Sequence, residues 1–226
     1  MSARQFPPES MQMKKQRIRI VQYVQSVINP NNLVAYTENG GRLELTRCVI
    51  REKRNSKGLL YTNGKNLFFS LTCHGLRQVD VDFSPSHRTP GMACFNGVRG
   101  NLYPKMRHYG NQECHIIVCT TFHGPRPVIN GISCVCDHKN GDVRNCSADN
   151  LEWVTPRENV WRAKHVLQVL RAKKFDLTAC SGADMDKWFS IFRALEMAGQ
   201  KPSKLRVEEL KEEFERYEVR PAAPVR

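Results

Sequence analysis

Apolar and polar residues alternate along much of the N-terminal half of the chain. The runs Arg42–Leu45 and Val79–Phe83 place apolar side chains at every second position, as a half-buried strand requires. Asn39-Gly40-Gly41 and Asn63-Gly64 separate such runs, and asparagine and glycine favour tight turns between strands. The pattern therefore predicts a β-rich N-terminal region over residues 13–105.

A second pattern changes from alternation to helical spacing. Residues 132–136 alternate and predict a short strand that ends at Asp137-His138, and Asn140-Gly141 then predicts a turn. Residues 151–154 predict a second short strand. The stretch 155–158 is a helix start, with a threonine at the N-cap, a proline at the first helical position and a glutamate at the third. The predicted order is strand, loop, strand and helix.

The remaining elements are predicted to be mostly helical. Residues 114–122 predict a short helix that packs on the strand–loop–strand–helix segment. Two more helices are predicted at Met185–Ala198, which Gly199 ends, and at Leu205–Tyr217. We expect these two helices to form a packing surface within the chain, or a surface for a protein partner or for self-association.

These elements divide the chain into four parts. Residues 1–12 show no periodicity and are predicted to be disordered. The β-rich region 13–105 follows, and its first residues, 13–30, fit either a helix or a strand. The strand–loop–strand–helix segment lies within 106–174, and 175–226 form a C-terminal helical extension. The predicted fold class is α+β.

Three side chains in the middle segment could act together. Asp137 and His138 stand at the end of the first predicted strand, and Asn159 lies one turn into the helix. A carboxylate, an imidazole and an amide oxygen can surround one divalent cation. Such a set suits phosphodiester cleavage. The alternative is a structural role, in which Asp137 and His138 only make hydrogen bonds within a turn at the end of the strand.

The charge of the chain agrees with a polyanionic partner. There are 35 lysines and arginines against 22 aspartates and glutamates, for a net charge of +13. A field of that sign attracts nucleic acid. The basic stretch 42–57 makes the β-rich region a candidate for DNA binding. The helix beyond residue 155 is also basic, and the residues predicted to contact phosphates are Arg157, Arg162, Lys164 and Arg171. An ordinary solvated helix face is the alternative for that helix.

The middle segment resembles the ββα-metal (His-Me finger) site of HNH endonucleases, in the phage and intron-encoded, homing-type subgroup whose motif ends in asparagine. The resemblance covers about residues 114–165. It is carried by Asp137-His138 with Gly141, by the run Asn150–Thr155 and by Glu158-Asn159. The family usually has Asn-Arg where this chain has Cys146-Ser147.

The resemblance implies a role for each matched residue. Asp137 and Asn159 would bind one Mg²⁺ or Mn²⁺ through their side-chain oxygens. His138 would be the general base that removes a proton from the attacking water. Asn150 would be structural and would tie down the loop that holds His138. The implied activity is metal-dependent nicking or double-strand cleavage of DNA. Two further histidines are candidates for a catalytic role: His115 and His123.

The nine cysteines raise a different hypothesis, a structural zinc site. No C-x-x-C pair is present, so the spacing does not favour Zn²⁺. The odd number of cysteines and the lack of a signal peptide favour reduced thiols in a cytoplasm, such as that of a host cell carrying a phage or mobile element. No run is long and apolar enough to predict a membrane span. A nucleic-acid-binding protein that keeps the fold without turnover is the other alternative to the enzyme.

Overall fold

The computed structural model describes residues 17–50, 58–81, 103–106, 109–110 and 112–217. Its first part is a six-stranded antiparallel meander in sequence order. The strands are β1 (Ile20–Gln25), β2 (Leu33–Thr37), β3 (Arg42–Arg47), β4 (Leu59–Thr62), β5 (Phe68–Thr72) and β6 (Gly75–Val79). All six strands lie within the stretch 13–105 that the sequence predicted to be β-rich. Residues 13–30, left open between helix and strand, contain β1.

Two sequence predictions involve residues that the structure does not describe. The run Val79–Phe83 was expected to be one strand, but β6 ends at Val79, and residues 82 and 83 lie outside the described residues. The predicted disorder of residues 1–12 also lies outside the described residues. The turn signals do hold, since Gly40 and Gly64 have φ values of 77° and 71°.

Successive side chains of β4 and β5 point to opposite faces of the sheet, and both faces are buried there. Tyr61 and Phe69 join one hydrophobic cluster, whose other buried members include Leu33 and Leu45. Their neighbours in the chain point the other way, as a period of two requires. Leu60 and Phe68 therefore belong to a second cluster, which also contains residues of the central helix. The sheet is in this way joined to the part of the chain that follows.

The central part holds short strands around one helix. Strands β7 (Lys105–Met106) and β8 (Gln112–Glu113) pair, and α1 (Cys114–His123) follows directly. A small hairpin comes next, with strands β9 (Val128–Ile129) and β10 (Ile132–Ser133). Strands β11 (Val135–His138) and β12 (Leu151–Val154) then pair antiparallel. Ile117 and Val118 of α1 are fully buried, so this helix is the centre of the second cluster.

The C-terminal part is helical. A continuous helix has three segments: α2 (Pro156–Trp161), a π-helical stretch (Arg162–Leu167) and α3 (Gln168–Ala172). Helices α4 (Gly182–Met197) and α5 (Val207–Arg216) follow. Within the described ranges, no helix has the length and apolar character needed to cross a membrane.

The C-terminal helices share one hydrophobic core with the helix that precedes them. Val166 and Leu170 lie in the same cluster as Trp188 and Phe192 of α4 and Leu210 of α5. The boundary that the sequence placed at residue 175 therefore falls inside a core rather than between two cores. The apolar faces predicted as a packing or partner surface are used here for packing within the chain.

Candidate functional site

Strand β11 carries Asp137 and His138, which pair with Glu152 and Leu151 of β12. Both side chains are buried, with 7% of Asp137 and 5% of His138 exposed. The strand begins at Val135 and includes the two residues, whereas the sequence predicted that a strand over 132–136 would end at them. Residues 132 and 133 instead form β10, because they pair with β9 in their own hairpin.

The loop between β11 and β12 is held by Asn150. Its side-chain oxygen accepts a hydrogen bond from the Asn140 amide at 3.1 Å, and its side-chain nitrogen donates to the Asn145 carbonyl at 2.9 Å. Its carbonyl accepts from the Lys139 amide at 2.8 Å. One buried amide thus satisfies both arms of the loop, which is the role that the family resemblance implies for Asn150.

The turn after His138 depends on Gly141. Its φ is 71°, and its amide donates to the His138 carbonyl at 2.7 Å. A Cβ at this position would meet the side chains of Arg171 and Leu167. Glycine is therefore required both by the backbone conformation and by the close approach of the helix.

The loop also contacts the six-stranded sheet, at the position where the sequence departs from the family. The Cys146 amide donates to the Asn66 side-chain oxygen at 2.7 Å, and the Ala148 amide donates to the Gly64 carbonyl at 2.9 Å. The Cys146 side chain is buried in the cluster around α1. A small apolar thiol at this position therefore packs into the core.

The imidazole of His138 lies among aromatic rings. Its centroid is 5.1 Å from that of His115 and 5.8 Å from that of Tyr103. Burial lowers the pKa of His138 from 6.5 to about 4, so the ring is neutral at neutral pH. Its Nε2 is enclosed and has no hydrogen-bond partner within the described residues. The site therefore contains a neutral imidazole that can accept a proton.

Asp137 faces a cation of the protein itself. Its Oδ2 lies 3.3 Å from Nη1 of Arg162, and both side chains are about 9% exposed. Burial raises the pKa of Asp137, although the charge of Arg162 and its hydrogen bond oppose the shift. The negative charge of this carboxylate is therefore partly balanced by a guanidinium.

Arg162 does not lie where the sequence predicted. It was expected to contact DNA phosphates, but only 8% of the residue is exposed. Its Nη1 also bonds Glu152 at 2.8 Å, and its Nε bonds Glu158 at 3.0 Å. A guanidinium held by three carboxylates cannot reach a phosphate without leaving them, so the phosphate-binding prediction is corrected. Arg162 instead positions Asp137.

The C-terminal helix α4 supports this arginine. The ring of Phe189 packs against the guanidinium of Arg162, with 4.2 Å between the ring centroid and Cζ of the arginine. Arg193 of α4 bonds the Glu158 carboxylate. Lys139 bonds Asp186 at 2.7 Å, and the start of α4 at Gly182 packs against the loop carbonyl of Asp149. Helix α4 is thus attached to the site on several sides.

Asn159 lies on α2, which packs against β11. Residues three apart share a helix face, so Asn159 lies on the face from which Arg162 reaches Asp137. The residue is half-buried, and within the described part of the chain its side-chain amide makes no hydrogen bond. Its oxygen is therefore available as a ligand.

The start of α2 follows the predicted cap with one difference. Thr155 accepts a hydrogen bond from the Glu158 amide at 3.2 Å, and Pro156 is the first helical residue. The Glu158 carboxylate does not return to the cap but bonds Arg162 and Arg193. The glutamate is used to hold the arginine network, which in turn holds Asp137.

The other basic residues predicted to bind phosphates have different surroundings. Arg157 and Lys164 are exposed on the helix that carries Asn159. Arg171 is exposed as well, but one of its nitrogens donates to the Gly141 carbonyl at 3.3 Å. Arg157 and Lys164 therefore remain free to meet a polyanion, while Arg171 also supports the loop.

The structure separates the two additional histidines. His115 is 5% exposed and lies against His138, and burial lowers its pKa to about 3. His123 is exposed at the end of α1, where its Nε2 lies 2.7 Å from the Ala148 carbonyl. Only His115 is brought to the site. His123 instead links α1 to the loop.

Two residues near the site escaped the sequence reasoning. The Tyr103 ring centroid is 4.6 Å from that of His115, and Glu113 Oε2 is 3.6 Å from His115 Nε2. Burial raises the pKa of Tyr103, and the charges of Glu113 and Asp137 add to the shift. Tyr103 therefore lies close enough to Asp137 to be affected by its charge, and its ring packs on His138. No motif marks either residue, although Glu113 directly precedes α1.

Several cysteines pack in the core around α1. Cys48, Cys114 and Cys119 are buried there, and burial raises the pKa of the Cys48 and Cys114 thiols. Burial also raises the pKa of Cys146 to about 12. Neutral thiols of this kind pack as small apolar groups. Among the described residues, no three histidine, cysteine, aspartate or glutamate side chains cluster tightly enough to hold a metal ion.

Asp137 on β11 and Asn159 on α2 nevertheless carry the kind of oxygen that a hard divalent cation takes. Asp137 offers a carboxylate oxygen and Asn159 an amide oxygen without a hydrogen-bond partner in the described structure. A cation such as Mg²⁺ needs only one or two protein oxygens when water and a phosphate complete its shell.

Comparison with known proteins agrees with the resemblance seen in the sequence. The family model described as HNH endonuclease matches residues 113–161. The match begins just before α1, contains β11, the loop, β12 and α2, and ends before Arg162. No curated protein and no solved structure matches the chain. The resemblance to HNH endonucleases is therefore confirmed for this segment.

Proposed function

We propose that the protein is a metal-dependent DNA endonuclease, and that the segment 113–161 is a ββα-metal module. The observation that carries the proposal is the buried, neutral imidazole of His138 beside the Asp137 carboxylate, within a segment that matches the HNH endonuclease family. Nuclease activity is what that family supports. Metal dependence, the DNA substrate and the residue roles are the proposal.

In this mechanism Asp137 and Asn159 would hold the cation through their side-chain oxygens. A bound divalent cation supplies positive charge that stabilises the negative charge developing on the phosphate and on the leaving oxygen. Arg162 orients the Asp137 carboxylate, because its Nη1 lies 3.3 Å from Oδ2 of that carboxylate. Asn150 holds the loop and so keeps His138 in place.

His138 accepts a proton from the attacking water, whose oxygen then bonds to phosphorus as the bond to the leaving oxygen breaks. The leaving oxygen keeps the electron pair of that bond and takes up a proton from solvent water. Burial keeps the imidazole unprotonated at neutral pH. An approaching phosphate favours the protonated imidazole, since opposite charges attract, and so strengthens the base when substrate is bound. A base in this position contributes roughly 10²–10⁴-fold to the rate.

Duplex DNA is the proposed substrate because the chain carries a net charge of +13. Arg157 and Lys164 are exposed on the helix that carries Asn159, so they can contact phosphates beside the cleaved bond. A cytoplasmic setting and an origin in a phage or mobile element stay predictions.

A plasmid-cleavage experiment tests the proposal. Supercoiled plasmid is incubated with the protein in Mg²⁺, in Mn²⁺ and in a chelator. We expect nicked or linear product only with metal, and its loss in His138→Ala and in Asp137→Ala. His74→Ala is the matched control, because His74 is an exposed histidine in the turn between β5 and β6. Cleavage by His138→Ala at the wild-type rate would exclude this general base.

The same preparation separates the alternatives. A DNA-binding protein without turnover would shift labelled DNA in a gel and leave the plasmid intact under every metal condition. A structural zinc protein would retain one equivalent of zinc through a chelator wash, as measured by elemental analysis.

A further inference from the structure

Three enclosed polar atoms have no hydrogen-bond partner within the described residues: His115 Nδ1, His138 Nε2 and Asn140 Nδ2. The first two belong to neighbouring rings of the candidate site, and Asn140 follows His138 by two positions. Leaving a buried polar atom unsatisfied costs about 1–3 kcal/mol, so such atoms are rare in native proteins. The two imidazole nitrogens belong to rings in contact with each other, so a single small partner could satisfy both.

The two imidazoles are in contact, and within the described residues no hydrogen bond joins them. Their centroids are 5.1 Å apart and their planes are inclined by 52°. Tyr103 packs on both rings, at 4.6 and 5.8 Å, and so helps to enclose the space beside them. A buried water that makes two or more hydrogen bonds is the usual partner of such atoms.

We propose that an internal water links His115 Nδ1 to His138 Nε2, and that this link fixes the tautomer of His138. His115 is then a positioning residue of the site. The inference rests on the proposed function, because it concerns which nitrogen of the base receives the proton.

The hydrogen bonds from Glu113 through His115 and the water to His138 can be arranged with one donor and one acceptor at each step. Glu113 Oε2 lies 3.6 Å from His115 Nε2, which favours a proton on that nitrogen. A neutral imidazole has one donor and one acceptor, so His115 Nδ1 accepts from the water. The water oxygen in turn accepts from His138 Nε2–H. That leaves the lone pair of His138 on Nδ1.

The nitrogen left with the lone pair is the one that can reach a substrate. Within the described residues His138 Nδ1 makes no hydrogen bond, and it is not among the buried atoms that lack one, so unlike Nε2 it is accessible. The hydrogen bond made by one ring nitrogen decides the protonation of the other. His115 therefore holds the base with its accepting nitrogen toward the outside, where the attacking water gives up its proton.

Three substitutions of His115 test this arrangement, because the side chains that they introduce differ in where they place a polar atom. Asparagine carries its polar atoms at the δ position, where His115 Nδ1 lies. Glutamine carries them one bond further, at the ε position, and leucine has none. We expect His115→Asn to keep the link to the water, and His115→Gln and His115→Leu to lose it.

Two measurements report on the link. Nitrogen-15 NMR of the histidine side chains, on metal-free protein, gives the tautomer of His138: we expect a proton on Nε2 in the wild type and in His115→Asn, and a mixture of tautomers in the other two. Single-turnover cleavage at saturating DNA gives the rate. Losing a partner that orients an active-site imidazole lowers activity about 10- to 100-fold. We expect that loss in His115→Gln and His115→Leu with an unchanged Kd for DNA.

The comparison of asparagine with glutamine makes the test independent of general damage to the fold. Equal tautomer populations and equal rates in these two variants would overturn the inference, and so would a wild-type rate in His115→Leu. If the wild-type protein cleaves no DNA with any metal, the proposed function fails instead. The NMR measurement, which needs no activity, then still decides whether His115 sets the tautomer.

Discussion

Arg162 Nη1 lies 3.3 Å from Asp137 Oδ2, with both side chains buried. The arginine comes from the π-helical stretch after α2, and its guanidinium rests on Phe189 of α4. The carboxylate proposed to hold the cation is thus positioned by an arginine that the C-terminal helices keep in place. Helix α4 lies outside the matched family segment, yet it stabilises the geometry of the site.

Replacing Arg162 by methionine should destabilise the protein. The apolar stem would remain, but Asp137 would be buried without a counter-charge, which typically costs roughly 3–5 kcal/mol. Urea unfolding at neutral pH measures the change. Arg157→Met on the same helix is the control, and because Arg157 is exposed we expect a change within about 0.5 kcal/mol. Similar values for the two variants would contradict the role of Arg162.

Replacing Asn159 by aspartate should strengthen the binding of divalent cations. A carboxylate would take the place of an amide oxygen, and Mg²⁺ and Mn²⁺ favour charged oxygen ligands. Calorimetric titration of Mn²⁺ should give a tighter Kd for Asn159→Asp and a weaker one for Asn159→Ala. Equal Mn²⁺ affinities in the wild type and in Asn159→Ala would remove Asn159 from the ligand set.

Stability should fall on mild acidification because of the two buried histidines. Burial lowers the pKa of His138 to about 4 and of His115 to about 3, both from 6.5. Below about pH 6.5 the unfolded chain therefore binds protons that the folded protein does not. The free energy of unfolding then decreases by up to about 1.4 kcal/mol per pH unit for each histidine.

Urea unfolding between about pH 7.5 and pH 5 measures this slope. The range stays above the usual pKa of the carboxyl groups, so the histidines dominate it. His115→Asn should reduce the slope, since one of the two groups is removed, while His74→Ala should leave it unchanged because His74 is exposed. The raised pKa of Asp137 acts in the opposite direction, because the folded protein takes up that proton at a higher pH than the unfolded chain does. An equal slope in the wild type and in His115→Asn would exclude a contribution from His115.

Removing the side-chain amide of Asn150 should loosen the loop after His138. Asn150→Ala deletes the bonds to the Asn140 amide and the Asn145 carbonyl and leaves those groups buried or half-buried. A loss of about 1–3 kcal/mol is expected. Hydrogen exchange should become faster at the Asn140 amide and stay unchanged at amides of β2. Unchanged exchange at Asn140 would mean that the backbone alone holds the loop.

Reversing exposed charges near the site should weaken DNA binding. Lys164→Glu and Arg157→Glu are expected to lower the affinity and to reduce the slope of log K against log salt by about 1 for each lost phosphate contact. Fluorescence anisotropy over about 50 to 200 mM salt measures both. Lys211→Glu, on the exposed side of α5, makes the same charge change on another helix. An equal effect in all three variants would reflect net charge and place the binding surface elsewhere.

Part of the site could be predicted from the sequence, because it depends on interactions between residues that are close in the chain. The cap at Thr155, the turn at Gly141 and the anchoring amide of Asn150 each depend on neighbours within a few positions, or on one short loop. The helix start at Pro156 depends on the same kind of signal, whereas the helix predicted from Met185 begins earlier, at Gly182, where Ser181 caps it. The start of the first strand was misplaced, because alternation over residues 132–136 does not reveal that residues 132 and 133 pair in another hairpin.

The sequence alone determined the order of the elements and the three side chains that carry the proposed chemistry, because spacing, turn residues and caps act over short distances. It could not decide which charged residues of a basic helix face water. Tertiary structure buried Arg162, since Phe189 arrives from a helix further along the chain, and exposed Lys164 two positions away. It also brought His115 to His138, because that contact exists only once α1 packs against β11.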